Sequence, residues 1–160
     1  MTQQEATAAI AEIRHTIVVA ADVERAFDVF AAGIDRWWPR SHHIGDGELD
    51  TVVLEPRAGG RWYERLVDGA ECSWGRVLEW DRPRRVALSW SISPQWELEA
   101  DAAAASRIEV RFTAADNGST LVELVHRDFD RHSTGAQDMR DVMDEGWVST
   151  LQAYAEVARR

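Results

Sequence analysis

The stretch Asp138-Met-Arg-Asp-Val-Met-Asp-Glu-Gly-Trp-Val-Ser-Thr-Leu-Gln-Ala-Tyr-Ala-Glu-Val-Ala-Arg159 decides the fold. Met139, Met143, Trp147, Thr150, Leu151, Tyr154 and Ala158 fall on one stripe at helical spacing, opposite Arg140, Asp141, Asp144, Gln152 and Arg159. The spacing predicts a helix of roughly 22 residues, about 33 Å long. Within it Gly146 is predicted to let the helix approach the sheet closely while Trp147 fills space between them. No second helix of this length is available, and most of the chain before it alternates with period two. A sheet of six or seven antiparallel strands must then curl around one helix, leaving space at one end where short helices and loops form a mouth.

The strands are read outward from that helix. Residues 120–127 put Val122, Leu124 and His126 inward, and Asn117-Gly118 joins them by a hairpin to a strand alternating Ile108, Val110 and Phe112 with Arg107, Glu109 and Arg111. A loop over residues 93–105 carries Pro94 and Trp96. Before it, residues 85–92 align Val86, Leu88 and Trp90. The register of residues 71–80 is ambiguous, because Arg76 shares a face with Trp74 and Leu78, and Gly75 is the expected site of a resolving bulge. Asp68-Gly69 signals another hairpin, residues 61–67 set Trp62, Glu64 and Leu66 against Arg61, Tyr63 and Arg65, and residues 49–55 lead the series. A first strand over residues 12–19 is followed by Asp22 as an N-cap, a short amphipathic helix broken at Gly33, and a second helical turn ending before Pro39. Residues 1–9 are expected to be a disordered tail, and residues 10–160 one domain.

Eight tryptophans in 160 residues are more than a core needs, and large rings with one polar atom each often line cavities for flat or greasy ligands. The formal charge is −10, and all 18 basic residues are arginine. The absence of lysine excludes Schiff-base and Walker-type phosphate chemistry, and no basic stripe argues for nucleic acid. The single cysteine, Cys72, excludes an internal disulfide and has no nucleophile signature around it. There is no apolar run of membrane-spanning length and no export leader, so a cytoplasmic location is expected.

Several segments resemble the bacterial Hsp90-ATPase-activator-homologue group within the START-like, helix-grip superfamily. They are Ala58-Gly-Gly-Arg-Trp-Tyr-Glu64, Trp74-Gly-Arg-Val-Leu-Glu79, Pro83-Arg-Arg-Val86, Leu88-Ser-Trp90, Val122-Glu-Leu-Val-His126 and Glu145-Gly-Trp147. The resemblance covers nearly the whole chain. It implies an α+β helix-grip fold, with a curled seven-stranded antiparallel sheet around the C-terminal helix, two short helices after the first strand, and a hydrophobic cavity between sheet and long helix. The eukaryotic activators join this domain to a separate amino-terminal one that has no counterpart in this sequence, so the chaperone partner is not carried over.

Trp62, Trp74, Trp90, Phe112, His126, Met143 and Trp147 are the expected cavity lining, with Trp38 and Trp96 near the mouth. Glu64 and His126 are the candidate catalytic pair, because both fall at inward strand positions. They could act as general acid and base, fix a polar group of a ligand, or serve structure alone. His42 and His43 precede Asp46, Glu48 and Asp50 but lack metal-ligand spacing, so a loop at the cavity mouth is expected and no metal or cofactor. The primary expectation is binding of a hydrophobic or aromatic small molecule. The alternatives are a cyclase, hydrolase or dehydratase using Glu64 and His126, or a protein-interaction module. A protein partner or a homodimer stays open.

Overall fold

The computed structural model describes residues 10–160, so the expected tail at residues 1–9 lies outside the described residues. Strand β1 (Ile13–Val19) leads into helix α1 (Val23–Phe30) and a 3-10 turn (Ile34–Arg36). Strands β2 (Leu49–Leu54), β3 (Arg61–Leu66), β4 (Glu71–Asp81), β5 (Arg85–Trp90), β6 (Ser106–Ala114) and β7 (Thr120–Arg127) follow, and helix α2 (Ala136–Ala158) closes the chain. The seven strands form one antiparallel sheet in the order β1-β7-β6-β5-β4-β3-β2. It curls around α2, whose buried stripe includes Met139, Met143, Trp147, Leu151 and Tyr154. The helix starts two residues earlier than the sequence indicates. Its N-terminus is set by Gly135 in the left-handed region at φ 101°, with no side-chain cap to advertise it.

Local chemistry fixes the turns. The Asp22 carboxylate accepts the Arg25 N–H at 2.8 Å and starts α1. Asn117 at φ 60° and Gly118 at φ 74° turn β6 into β7, and Gly69 at φ 92° turns β3 into β4. Along β4 the pairing steps from Trp62 with Gly75 to Tyr63 with Ser73, making Trp74 an extra residue, and slips again between Val77 and Glu79. These bulges reconcile a pattern that plain alternation cannot: Trp74 and Val77 are both buried, Arg76 faces water and Leu78 is displaced outward. Glycine is required at position 75, where a Cβ would stand 1.9 Å from the Ser89 carbonyl oxygen.

One end of the grip is solid. Phe27 packs edge-on to Phe112 at 5.2 Å between ring centroids, and Phe30 to Tyr154 at 5.2 Å. The Tyr154 hydroxyl donates to the Ala26 carbonyl at 2.7 Å, and burial raises its pKa well above the ordinary phenol value. Arg25 donates to the carbonyls of Ala158 and Arg160, both at 2.8 Å, and so ties α1 to the C-terminus of α2. Phe112 belongs to this solid end, not to a cavity.

Because the Ser89 carbonyl cannot yield without breaking the β4–β5 pairing, Gly75→Ala is expected to destabilise the protein by about 2–3 kcal/mol. Urea unfolding checks this, and a variant as stable as the wild type contradicts the close approach.

Candidate functional site

At the opposite end the sheet and helix diverge around a cavity of about 300 Å³. Trp74 from β4 and Trp90 from β5 form its sheet side, with Met143, Gly146, Trp147 and Thr150 from α2 facing them. The connection between α1 and β2 contributes Trp38, Ser41, His42, His43 and Ile44. Trp96 and Val142 stand at the rim, 42% and 58% exposed. Five of the eight tryptophans therefore border one cavity. Behind them Trp62 is fully buried, 5.4 Å from Trp74 and 5.6 Å from Trp90 between ring centroids.

Trp96 reaches the rim through a tight turn. Its N–H donates to the Ser93 carbonyl at 2.8 Å, and the Ser93 hydroxyl accepts from the backbones of Gln95 and Glu97. Trp96 itself sits in the left-handed region at φ 62°, a conformation that costs energy for a bulky residue.

Glu64 lies completely buried beneath the wall. Its Oε1 accepts from the Ile44 N–H and the Trp74 indole N–H, both at 2.7 Å, and its Oε2 accepts from the Gly45 N–H at 3.0 Å. One carboxylate thus holds a cavity indole and the loop carrying the two histidines. Gly45 permits this, since a Cβ there would meet Leu66 Cδ1 at 2.6 Å and Glu64 Oε2 at 3.0 Å.

His126 is equally buried but sits elsewhere, behind Trp147. The Trp147 indole N–H donates to its Nδ1 at 3.3 Å, so that nitrogen carries the lone pair and Nε2 carries the proton. Nε2 then donates to the Ser106 hydroxyl at 2.8 Å, and the hydroxyl donates to His132 Nε2 at 2.8 Å. The donor of Trp147 therefore fixes the direction of the whole chain. Burial holds the His126 pKa well below its ordinary value, with the neighbouring His132 adding to the effect, and burial also lowers that of His132.

The structure places Trp38, Trp74, Trp90, Trp96, Met143 and Trp147 around the cavity. Trp62, Glu64 and His126 form the layer behind it, and Phe112 lies at the solid end. Glu64 and His126 share no hydrogen bond and anchor different indoles. Gly146 departs from its expected role: a Cβ there would meet nothing within 4 Å, because the residue borders the hollow instead of a packed strand. Ile92, Val142 and Thr150 also line the cavity, and of these only Thr150 carries a sequence signal, its place on the inward stripe of α2. Among the described residues no cluster of three or more His, Cys, Asp and Glu is arranged to hold a metal, and no helix is long and apolar enough to cross a membrane.

A seven-stranded curled sheet gripping a long C-terminal helix, hollow at one end, defines a helix-grip protein. Residues 20–158 match the family described as activator of Hsp90 ATPase homolog 1-like protein, and the chain belongs to that family. Among solved structures, it is 41% identical to an anthrahydroquino-gamma-pyrone synthase, Txn09, solved in complex with a compound designated SUM. That match covers 93% of this chain and 97% of the other at a TM-score of 0.67. It is 29% identical to CalC, a self-sacrificing resistance protein from Micromonospora echinospora, over 93% of this chain and 94% of that one, also at a TM-score of 0.67. CalU16 from the same organism is 23% identical over 92% of this chain and 74% of that one, at a TM-score of 0.57, and shows likeness of fold. A comparison with curated proteins found no match.

The buried histidines carry a consequence for stability. The unfolded chain takes up protons below the ordinary imidazole value of 6.5, whereas folded His126 and His132 resist them. Their contribution is complete above that value and is lost as pH falls through it towards the depressed folded values. The urea midpoint should accordingly be lower at about pH 5 than at about pH 7.5, and His126→Gln should lessen the difference. An equal pH dependence in wild type and variant contradicts a neutral buried His126.

Proposed function

We propose that this protein binds a planar, polycyclic aromatic molecule in the indole-walled cavity and closes an oxygen-containing ring on it. The observation that carries the reading is the wall itself, with Trp74 and Trp90 across the hollow from Met143 and Trp147. Flat, polarisable faces favour a fused ring system over a flexible chain, and a volume near 300 Å³ suits a three- or four-ring compound entering from the open rim. The reaction class is supported by the 41% identity to a pyrone synthase across nearly the full length of both chains. Closing a γ-pyrone on a phenol requires the phenolic oxygen to lose its proton and add to the carbon β to a ketone. A largely apolar cavity with two histidines in its lining is suited to that chemistry.

A second reading, capture of such a molecule without turnover, is favoured by the likeness to a resistance protein. The two readings share the cavity and differ in whether a cyclisable compound is released changed.

The cavity is tested with 1,8-dihydroxyanthraquinone as the probe. Wild-type protein should bind it with quenching of tryptophan emission, because five indoles border the space it would fill. Gly146→Leu should weaken binding at least about tenfold, or ~1.4 kcal/mol, by placing a side chain in the hollow. The same change should leave the melting temperature equal or higher, since glycine within a helix costs about 1 kcal/mol. Unaltered affinity in Gly146→Leu, or no quenching by the wild type, contradicts the proposed site.

A further inference from the structure

We infer that His43 is the general base of this site and that Glu64 is its positioning residue. The inference rests on the cyclase reading above. The Nδ1 atom of His43 is buried, has no hydrogen-bond partner, and stands 3.7 Å from Glu64 Oε2. His43 is one of the residues that line the cavity. Glu64 cannot turn away, because backbone donors from Ile44 and Gly45 and the Trp74 indole fix both of its oxygens. Oε1 already accepts two hydrogen bonds, whereas Oε2 accepts one and has a remaining lone pair for the histidine.

A carboxylate behind Nδ1 selects the tautomer with the proton on that nitrogen and leaves Nε2 as an acceptor on the cavity side. The separation of 3.7 Å exceeds a formed hydrogen bond, and such contacts commonly tighten when substrate enters. His126 cannot take this part. Its Nδ1 is occupied by Trp147 and its Nε2 by Ser106, so neither nitrogen is free for a substrate proton. Glu64 has its own reason for being an indirect participant: it is fully buried behind the wall and reaches substrate only through the imidazole.

The step balances without an oxidant or a second reactant. With an aryl 1,3-diketone bearing an ortho hydroxyl, His43 Nε2 takes the phenolic proton while the oxygen attacks the distal carbonyl carbon. A C–O bond forms, the carbonyl π pair moves to its oxygen, and the imidazolium returns the proton there to give the hemiketal. His43 next takes a proton from the carbon between the two carbonyl positions and delivers it to the departing hydroxyl. A C=C bond forms, the C–OH bond breaks, and the products are the γ-pyrone and one water. Glu64, held in place by its three donors, faces the Nδ1 side of the ring and compensates its transient charge.

The test uses the full chain and 1-hydroxy-2-acetoacetylanthraquinone, following formation of the fused pyrone above the uncatalysed rate, with affinity measured by tryptophan quenching. His43→Ala should lower kcat at least about 100-fold. Its Kd should stay within about threefold of wild type, and added imidazole should restore part of the rate. Nitrogen-15 NMR should show His43 with its proton on Nδ1 in the wild type and a mixture of tautomers in Glu64→Gln, which should lose about tenfold or more in kcat. If Glu64→Gln fails to fold, Gly45→Ala, whose Cβ presses on the same carboxylate, should produce the same tautomer mixture. Wild-type turnover with an unimpaired His43→Ala, parallel loss of rate and binding without rescue, or a wild-type proton on Nε2 would each overturn the dyad alone. Wild-type protein that binds the diketone and forms no pyrone overturns the cyclase reading and the base together.

Discussion

A seven-stranded sheet that curls around one helix encloses more space than that helix can fill, and this mismatch governs the molecule. At the end nearest α1 the difference is made up by Phe27, Phe30, Phe112 and Tyr154, which pack edge to face, and by Arg25 on the terminal carbonyls of α2. At the other end large rings stand around the space without closing it. Bulges in β4 are part of the same solution. They bring Trp74 and Val77 inward three residues apart on a strand whose simple alternation would have sent one of them out.

A hollow walled by indoles needs its rings held from behind, and two buried polar systems do this independently. Glu64 binds the Trp74 N–H and the backbone of the loop that carries His43. His126 accepts from Trp147 and passes a fixed hydrogen-bond direction through Ser106 to His132. A buried acceptor that loses a donor costs free energy, so withdrawing either indole would leave Glu64 or His126 one partner short. The price of a rigid cavity is therefore carried by groups that do not line it. This division separates Glu64 from His126 despite their matching inward positions on β3 and β7.

Much of the architecture was legible in the sequence because period is a strong signal. The stripe from Met139 to Ala158, the alternation of Ile108, Val110 and Phe112, and the Asn117-Gly118 turn all correspond to elements of the structure. A bulge at Gly75 is the expectation that the clash of Arg76 with its neighbours' pattern raises, and the extra residue is the adjacent Trp74. What alternation cannot give is depth along the barrel axis. Phe112 and Trp90 share the inward face of adjacent strands, yet one packs the solid end and the other borders the hollow. For the same reason inwardness placed Glu64 and His126 on one face but could not say that different indoles stand in front of them. The contact of His43 with Glu64 spans a loop without periodicity, and the clue available was Gly45, a small residue whose necessity shows only once Leu66 and the carboxylate are seen beside it. Gly146 misled in the opposite sense, since a helical glycine suggests close packing and here faces open space.

The central claim is that the unfilled end of the grip is a preformed slot for a flat aromatic molecule. A crystal structure of the wild-type protein soaked with 1,8-dihydroxyanthraquinone tests it most directly. The fused rings should lie between Trp74 and Trp90 on the sheet side and Met143 and Trp147 on the helix side, with Glu64 still bonded to Trp74 and His126 to Trp147. A compound bound only outside the rim, or indoles swung inward to fill the space in its place, would contradict it.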